Sequence, residues 1–104
     1  MVVGMCRIAL AIPGAFSLKD KRSVVRRVID RTRAKFNVAV AEVADMDVHQ
    51  RAVIGIAVVS NDVRHANSMI DGIVSFVSGA SDALVVDRQM QITRYEDHFG
   101  GIDE

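Results

Sequence analysis

The chain of 104 residues has one cysteine, one proline, no tryptophan and one tyrosine, with four phenylalanines supplying the other aromatic rings. A lone thiol, Cys6, excludes an intrachain disulfide and makes a reducing compartment the natural home. Charge of one sign is also missing, because thirteen basic and thirteen acidic side chains balance. Net charge therefore gives no clue to a partner. Long hydrophobic runs are absent too. The longest uncharged apolar stretch, Ala52 to Val59, is eight residues, against about 20 for a membrane-spanning helix. Near the N-terminus Arg7 interrupts the apolar stretch from Val2 to Ile12, which is not the pattern of a signal peptide, so a cytoplasmic location and no membrane partner are expected.

What is present is an ordinary globular mixture, half apolar and one quarter charged, long enough for one domain that buries roughly 65% of its unfolded surface. Met5 to Ile12 alternates, with Cys6, Ile8, Leu10 and Ile12 on one face and Met5, Arg7, Ala9 and Ala11 on the other, which reads as a strand. Pro13 and Gly14 end it. Ser17, followed three residues later by Asp20, is a helix-start signature of the capping-box kind. The helix runs to about Lys35, with Leu18, Val25, Val28, Ile29, Thr32 and Phe36 within one sector. Asn37 to Val43 and Ala52 to Val59 read as two strands of an antiparallel hairpin, joined by the polar segment Asp45 to Arg51. Ser60, Asn61 and Asp62 offer caps to a second helix carrying Val63, Ala66, Met69, Ile70, Ile73, Val74 and Val77. Gly72 within it is expected to mark close packing against the sheet, since glycine there costs about 1 kcal/mol against alanine. After a turn at Ser78 to Asp82, Leu84, Val86, Met90 and Ile92 mark a last strand.

The order is strand, helix, strand, strand, helix, strand. With right-handed crossovers this gives an α+β, ferredoxin-like βαββαβ fold, a four-stranded antiparallel sheet with both helices on one face. Residues 1–94 form this single domain and residues 95–104 a polar, acidic C-terminal tail.

Catalytic signatures are hard to find. His49, His65 and His98 have no neighbour at ligand spacing, so no metal and no cofactor is expected. Cys6 shares the inward parity of Ile8 and Leu10, where a thiol is inert. Ser23, His65 and Asp62 could be assembled into a hydrolase set, but the nucleophile-elbow context is missing. Neither G-x-G-x-x-G nor a Walker sequence occurs. These readings predict a protein that is not an enzyme. The charged pair that hairpin geometry suggests is Glu42 with Arg51, as a strand-end ion pair or a dimer contact.

Charge is strongly uneven along the chain. Residues 19 to 35 carry Lys19, Lys21, Arg22, Arg26, Arg27, Arg31, Arg33 and Lys35 against Asp20 and Asp30, an excess of six positive charges. On a helical wheel Lys19, Arg22, Arg26 and Arg33 cluster opposite the apolar sector, with Arg27 beside them. Lys21 instead falls close to the apolar sector near the first turn, so it either snorkels to the edge or pairs with a carboxylate from the loops. The near-single sign favours a polyanion, because an indifferent solvated face intersperses acids as i,i+4 partners. Lys19, Arg22, Arg26, Arg27 and Arg33 are the candidate nucleic-acid-binding residues, a solvated polar face being the plain alternative. Base stacking on the sheet is not expected, because Arg51 to Ser60 lacks the aromatic pattern of RNA-recognition motifs.

The segments Ser17-Leu18-Lys19-Asp20-Lys21-Arg22-Ser23-Val24, Phe36-Asn37-Val38, Ala41-Glu42-Val43, Gln50-Arg51-Ala52 and Val58-Val59-Ser60-Asn61-Asp62 together resemble the YlxP-like family of small bacterial proteins, whose function is unknown. The likeness covers residues 1 to about 93. It implies a ferredoxin-like fold, a bacterial source and no established enzyme activity. Neighbouring genes in that family encode translation initiation factor 2, ribosome-binding factor A and a tRNA pseudouridine synthase, which implies a role around translation, with RNA or a ribosomal particle as partner. A dimeric small-molecule-binding regulatory module is the alternative, resting on fold analogy. A homodimer through the open sheet face is expected in either case, because Met5, Ala9 and Ala11 lie beside Arg7 on a face with little charge, and mean hydropathy is +0.22.

Overall fold

The computed structural model describes residues 1–80 and 82–95. Its elements are β1 (Val2–Ala11), α1 (Leu18–Lys35), β2 (Ala39–Ala44), β3 (Arg51–Ser60), α2 (Val63–Ser78) and β4 (Leu84–Arg94). The strands form one antiparallel sheet in the order β2-β3-β1-β4. This is the ferredoxin-like arrangement.

Period two decides which face of the sheet is covered. Cys6, Ile8, Leu10 and Ile12 from the β1 segment and Ala52, Ile54, Ile56 and Val58 from β3 are buried beneath the helices. Ala66, Ile70, Ile73, Val74 and Val77 of α2 recur at helical spacing and close over β1, β3 and β4. Val25, Val28 and Thr32 of α1 lie over β2 and β3. Thr32 satisfies its buried hydroxyl by donating to the Val28 carbonyl at 2.7 Å.

Both helices start where the sequence places their caps. The Ser17 hydroxyl accepts from the Asp20 amide at 3.0 Å, and the Asp20 carboxylate accepts from the Phe16 amide at 3.1 Å. Asp62 accepts from the His65 amide at 3.0 Å.

Several details differ from the sequence expectation. β1 starts at Val2 rather than Met5, because Val2, Val3 and Gly4 pair with both β3 and β4 despite lacking alternation. A bulge opposite Ala9 and Leu10 changes parity within β4. Val85 faces Leu10, whereas Arg88, Met90 and Ile92 face Ile8, Cys6 and Gly4, so Leu84 and Val86 lie exposed.

Gly72 is exposed, and a methyl there would meet Phe36 at an ordinary 3.8 Å, so close packing is not its reason. The close approach occurs at Gly4, where a Cβ would stand 2.8 Å from Ile70 and 2.9 Å from Val58. Tyr95 belongs with the sheet rather than a tail: its amide donates to the Met1 carbonyl at 2.7 Å. The rest of the expected acidic tail, residues 96–104, lies outside the described residues.

Candidate nucleic-acid interface

Helix α1 presents its polar side away from the sheet because its buried positions, Lys21, Val25, Val28 and Thr32, fix its rotation. Lys19, Arg22, Arg26, Arg27, Arg31 and Arg33 are then all exposed along its outer side. They are not equally available. The Arg27 guanidinium pairs with Asp82, just before β4, with both side chains largely in solvent. Arg33 donates to the carbonyl of Val40 at 2.9 Å and so ties the helix to edge strand β2. Lys35 turns back over the Phe76 ring, 5.1 Å from its centroid, where Phe36 and Phe76 meet edge to face.

Lys19, Arg22, Arg26 and Arg31 make no ion pair with a described residue. Asp30, one turn from Arg26, does not close a bridge to it, and Asp20 is held by the Phe16 amide. The free positive charge of α1 therefore sits on Lys19, Arg22, Arg26 and Arg31, and Arg33 is a structural member of the stripe. Arg27 and Arg31 also border a hollow of about 330 Å³ between α1 and α2, whose lining includes Val24, Val28 and Phe76.

Glu42 and Arg51 do not meet. Glu42 is in register with Ile54 on the helix-covered face, whereas Arg51 is in register with Ala11 on the open face. Each has another partner. The Lys21 ammonium lies 2.7 Å from Glu42 Oε2, as an ion pair rather than an aligned hydrogen bond, and donates to the Asp45 carbonyl. Arg51 Nε lies 3.3 Å from the Asp45 carboxylate. Asp45 takes a left-handed backbone, φ 58°, which turns the chain out of β2 and aims its carbonyl at Lys21. Of the two outcomes expected for Lys21, pairing holds, but the carboxylate comes from strand β2 and not from a loop, because the helix packs directly on that strand.

Cys6 is buried, and that burial pushes its thiol above the ordinary value, with Arg88 pulling it down and Asp71 opposing Arg88. Such a thiol is a poor nucleophile at neutral pH. Among the described residues no three His, Cys, Asp or Glu side chains stand together as a metal site, and no helix is long and apolar enough to cross a membrane.

The comparisons with known proteins agree with this architecture. Residues 3–90 match the family model described as "Protein of unknown function (DUF503)". The "Uncharacterized protein YlxP" of Bacillus subtilis (strain 168) is 33% identical over 76 residues, covering 73% of this chain and 83% of that protein. Among solved structures, a de novo designed protein with a ferredoxin fold, determined by solution NMR, superposes with a TM-score of 0.53 at 15% identity. That match covers 100% of this chain and 96% of the design, and it speaks for the fold alone. The family model spans every segment on which the YlxP likeness rested, so this chain belongs to the DUF503 family of proteins of unknown function.

Proposed function

We propose that this protein binds structured RNA, on a ribosomal particle or a precursor of one, through phosphate contacts on the outer side of α1, and that it catalyses no reaction. The observation that carries the reading is the charge of Lys19, Arg22, Arg26 and Arg31, which pair with no described residue, on one helix that holds an excess of six positive charges while the rest of the chain holds an excess of six negative ones. Lys19, Arg22 and Arg26, clustered on one side of α1 over about two helical turns, suit a run of phosphates, with Arg31 on the other flank beside α2, and contacts of this kind position a protein without reading sequence. The two central strands offer little alternative reading surface. On the open face β1 carries Val3, Met5, Arg7, Ala9 and Ala11 and β3 carries Val53, Gly55, Ala57 and Val59, none of them a ring on which a base could stack, and Tyr95 beyond β4 is a single exposed ring. The balanced composition and buried thiol fit a cytoplasmic protein.

Binding to a structured RNA is tested by titration across a salt series. Wild type binds at micromolar affinity or weaker near physiological salt, weakening steeply as salt rises. The variant Lys19→Glu/Arg22→Glu/Arg26→Glu replaces exposed positions only and leaves Val25, Val28 and Thr32 untouched. It flattens the slope of log affinity against log salt by about 2 to 3. A folded triple variant with wild-type affinity and slope overturns the reading.

A further inference from the structure

Both helices lie on one side of the sheet, and among the described residues no helix covers the other, although Val43 of the β2 bulge lies over Gly55 there and Val53 is only 4% exposed. The uncovered face is built largely from small side chains: Ala9 and Ala11 of β1, Ala39 and Ala41 of β2, Gly55 and Ala57 of β3. Larger apolar groups stand among them, Met5 of the inner strand β1 at 40% and Leu84 of the edge strand β4 at 57% exposure. A hollow of about 660 Å³ crosses its middle, bordered by Met5, Ala41, Gly55, Ala57 and Gln91. Two opposite charges are left on this face. Arg7, opposite Gln89 in β4, and Asp87, opposite Ala9 in β1, are both exposed, and neither makes an ion pair with a described residue.

We propose that this face is the contact between two copies of the chain, held in register by Arg7 of each copy with Asp87 of the partner subunit. A two-fold interface sets residue i against j and j against i, so one unpaired cation and one unpaired anion become two cross-pairs. The sheet register fixes where the axis must lie. Asp87 sits one strand over from Arg7 and two residues along, level with Ala9. An axis between the stacked sheets, crossing the strands midway between Arg7 and Ala9, brings each Arg7 level with the partner's Asp87 and one strand aside. Stacked sheets stand about 10 Å apart and neighbouring strands about 4.8 Å, a gap that an arginine reaching toward an aspartate spans.

The same axis makes an independent match. Leu84 is in register with Ala11 and Gln91 with Met5, so the partner's Leu84 falls over Gln91 and Met5, at the border of the hollow. A projecting apolar group meets a recess, and the small residues between allow close approach. Four strands of about nine residues give a footprint of about 550 Å² before side-chain relief, which approaches the ~800 Å² per partner of a standard stable interface. An RNA partner has little to hold here, because of the other cations at this face Arg51 is paired with Asp45 and Arg33, which lines the hollow, is held by the Val40 carbonyl.

Sedimentation of the full chain, with variants at these two exposed positions, tests the proposal. Wild type at tens of micromolar sediments at twice the 11.4 kDa of one chain. Arg7→Asp and Asp87→Arg each set like charges across the interface and weaken association at least about tenfold. Mixing the two variants in equal amounts restores the dimer, because each chain then supplies the charge the other lacks. Repair of an intrachain contact cannot explain that recovery, since each chain still carries its own like-charged pair. A wild-type monomer at high micromolar concentration, a dimer indifferent to both substitutions, or a mixture that stays monomeric overturns the proposal. The second of these outcomes points instead to pairing through the edge of β4.

Discussion

The ammonium of Lys21 lies 2.7 Å from the carboxylate of Glu42 with its own side chain only 1% exposed, so a charge on the basic helix is turned into the protein rather than outward. The contact joins α1 to β2, and the Asp45 carbonyl, presented by a left-handed turn residue, completes it. Glu42 keeps 21% exposure, which leaves one end of the pair in touch with water.

Breaking this pair from one side strands a charge. Lys21→Ala or Glu42→Ala is expected to destabilise the fold by about 3 kcal/mol or more, and on charge alone Glu42→Ala costs more, because the ammonium it strands is buried whereas the Glu42 carboxylate reaches water. Replacing both by apolar residues of similar size, Lys21→Met with Glu42→Leu, restores most of the loss, since no charge is then left without a partner. Urea unfolding midpoints of the two single variants and the double variant check this, and a double variant as unstable as the sum of the singles contradicts it.

The glycines divide by what surrounds them. Gly4→Ala drives a methyl to within 3 Å of Ile70 and Val58, between β1, β3 and α2, and is expected to cost about 1 to 3 kcal/mol by overpacking. Gly72→Ala, exposed in the interior of α2, is expected to add about 0.5 to 1 kcal/mol by removing backbone freedom from the unfolded chain. Thermal melting of the two variants beside wild type reads both signs at once.

These two glycines also show where the sequence is legible and where it is not. Alternation in β1, helical spacing in α2 and the caps at Ser17 and Asp62 are local signals, and the element order follows from them. Gly4 and Gly72 look alike in the chain, because what distinguishes them is the Ile70 side chain arriving from sixty-six residues away. The β4 bulge is hidden for the same reason: the skipped residue is defined only against Ala9 and Leu10. At the candidate site, the charge of α1 is plain from composition and its orientation from the wheel. That Glu42 faces Lys21 and not Arg51 is not, because a hairpin argument considers neighbouring strands and overlooks the helix packed on their face. The wheel does flag Lys21, whose position beside the apolar sector leaves it either to snorkel or to find a partner.

Burial of Cys6 ties stability to alkaline pH. Its folded value is raised, so above the unfolded thiol's pKa of about 8.5 the unfolded chain holds fewer protons than the native one. The contribution of this group is thus constant below about pH 8 and falls as pH climbs from there toward the folded value, with a slope of at most about 1.4 kcal/mol per pH unit. Chemical denaturation between pH 7 and 10 is expected to show a steeper decline for wild type than for Cys6→Ala. Parallel declines would show that burial does not hold the thiol neutral. The same burial predicts slow labelling of the native thiol by disulfide reagents at neutral pH and fast labelling once the chain unfolds.

Arg33 separates structural charge from binding charge within one helix. Its guanidinium donates to the Val40 carbonyl, an acceptor on the edge strand, so Arg33→Ala is expected to cost about 1 kcal/mol of stability through the lost hydrogen bond. Arg27 is tied to Asp82 in solvent, and Arg27→Ala should change stability by less than about 0.5 kcal/mol. Arg22→Ala and Arg26→Ala remove cations that pair with no described residue, so their expected effect falls on RNA affinity and its salt slope, each by roughly 0.7 to 0.9. Pairing each variant's unfolding midpoint with its RNA titration places the residues on two axes. Arg33 should move along stability with the slope nearly unchanged, and Arg22 and Arg26 along the slope with stability unchanged. If Arg33→Ala flattened the slope as much as Arg26→Ala while Val40 tolerated the loss, the contact between α1 and β2 would be incidental and the whole stripe would be open to phosphates.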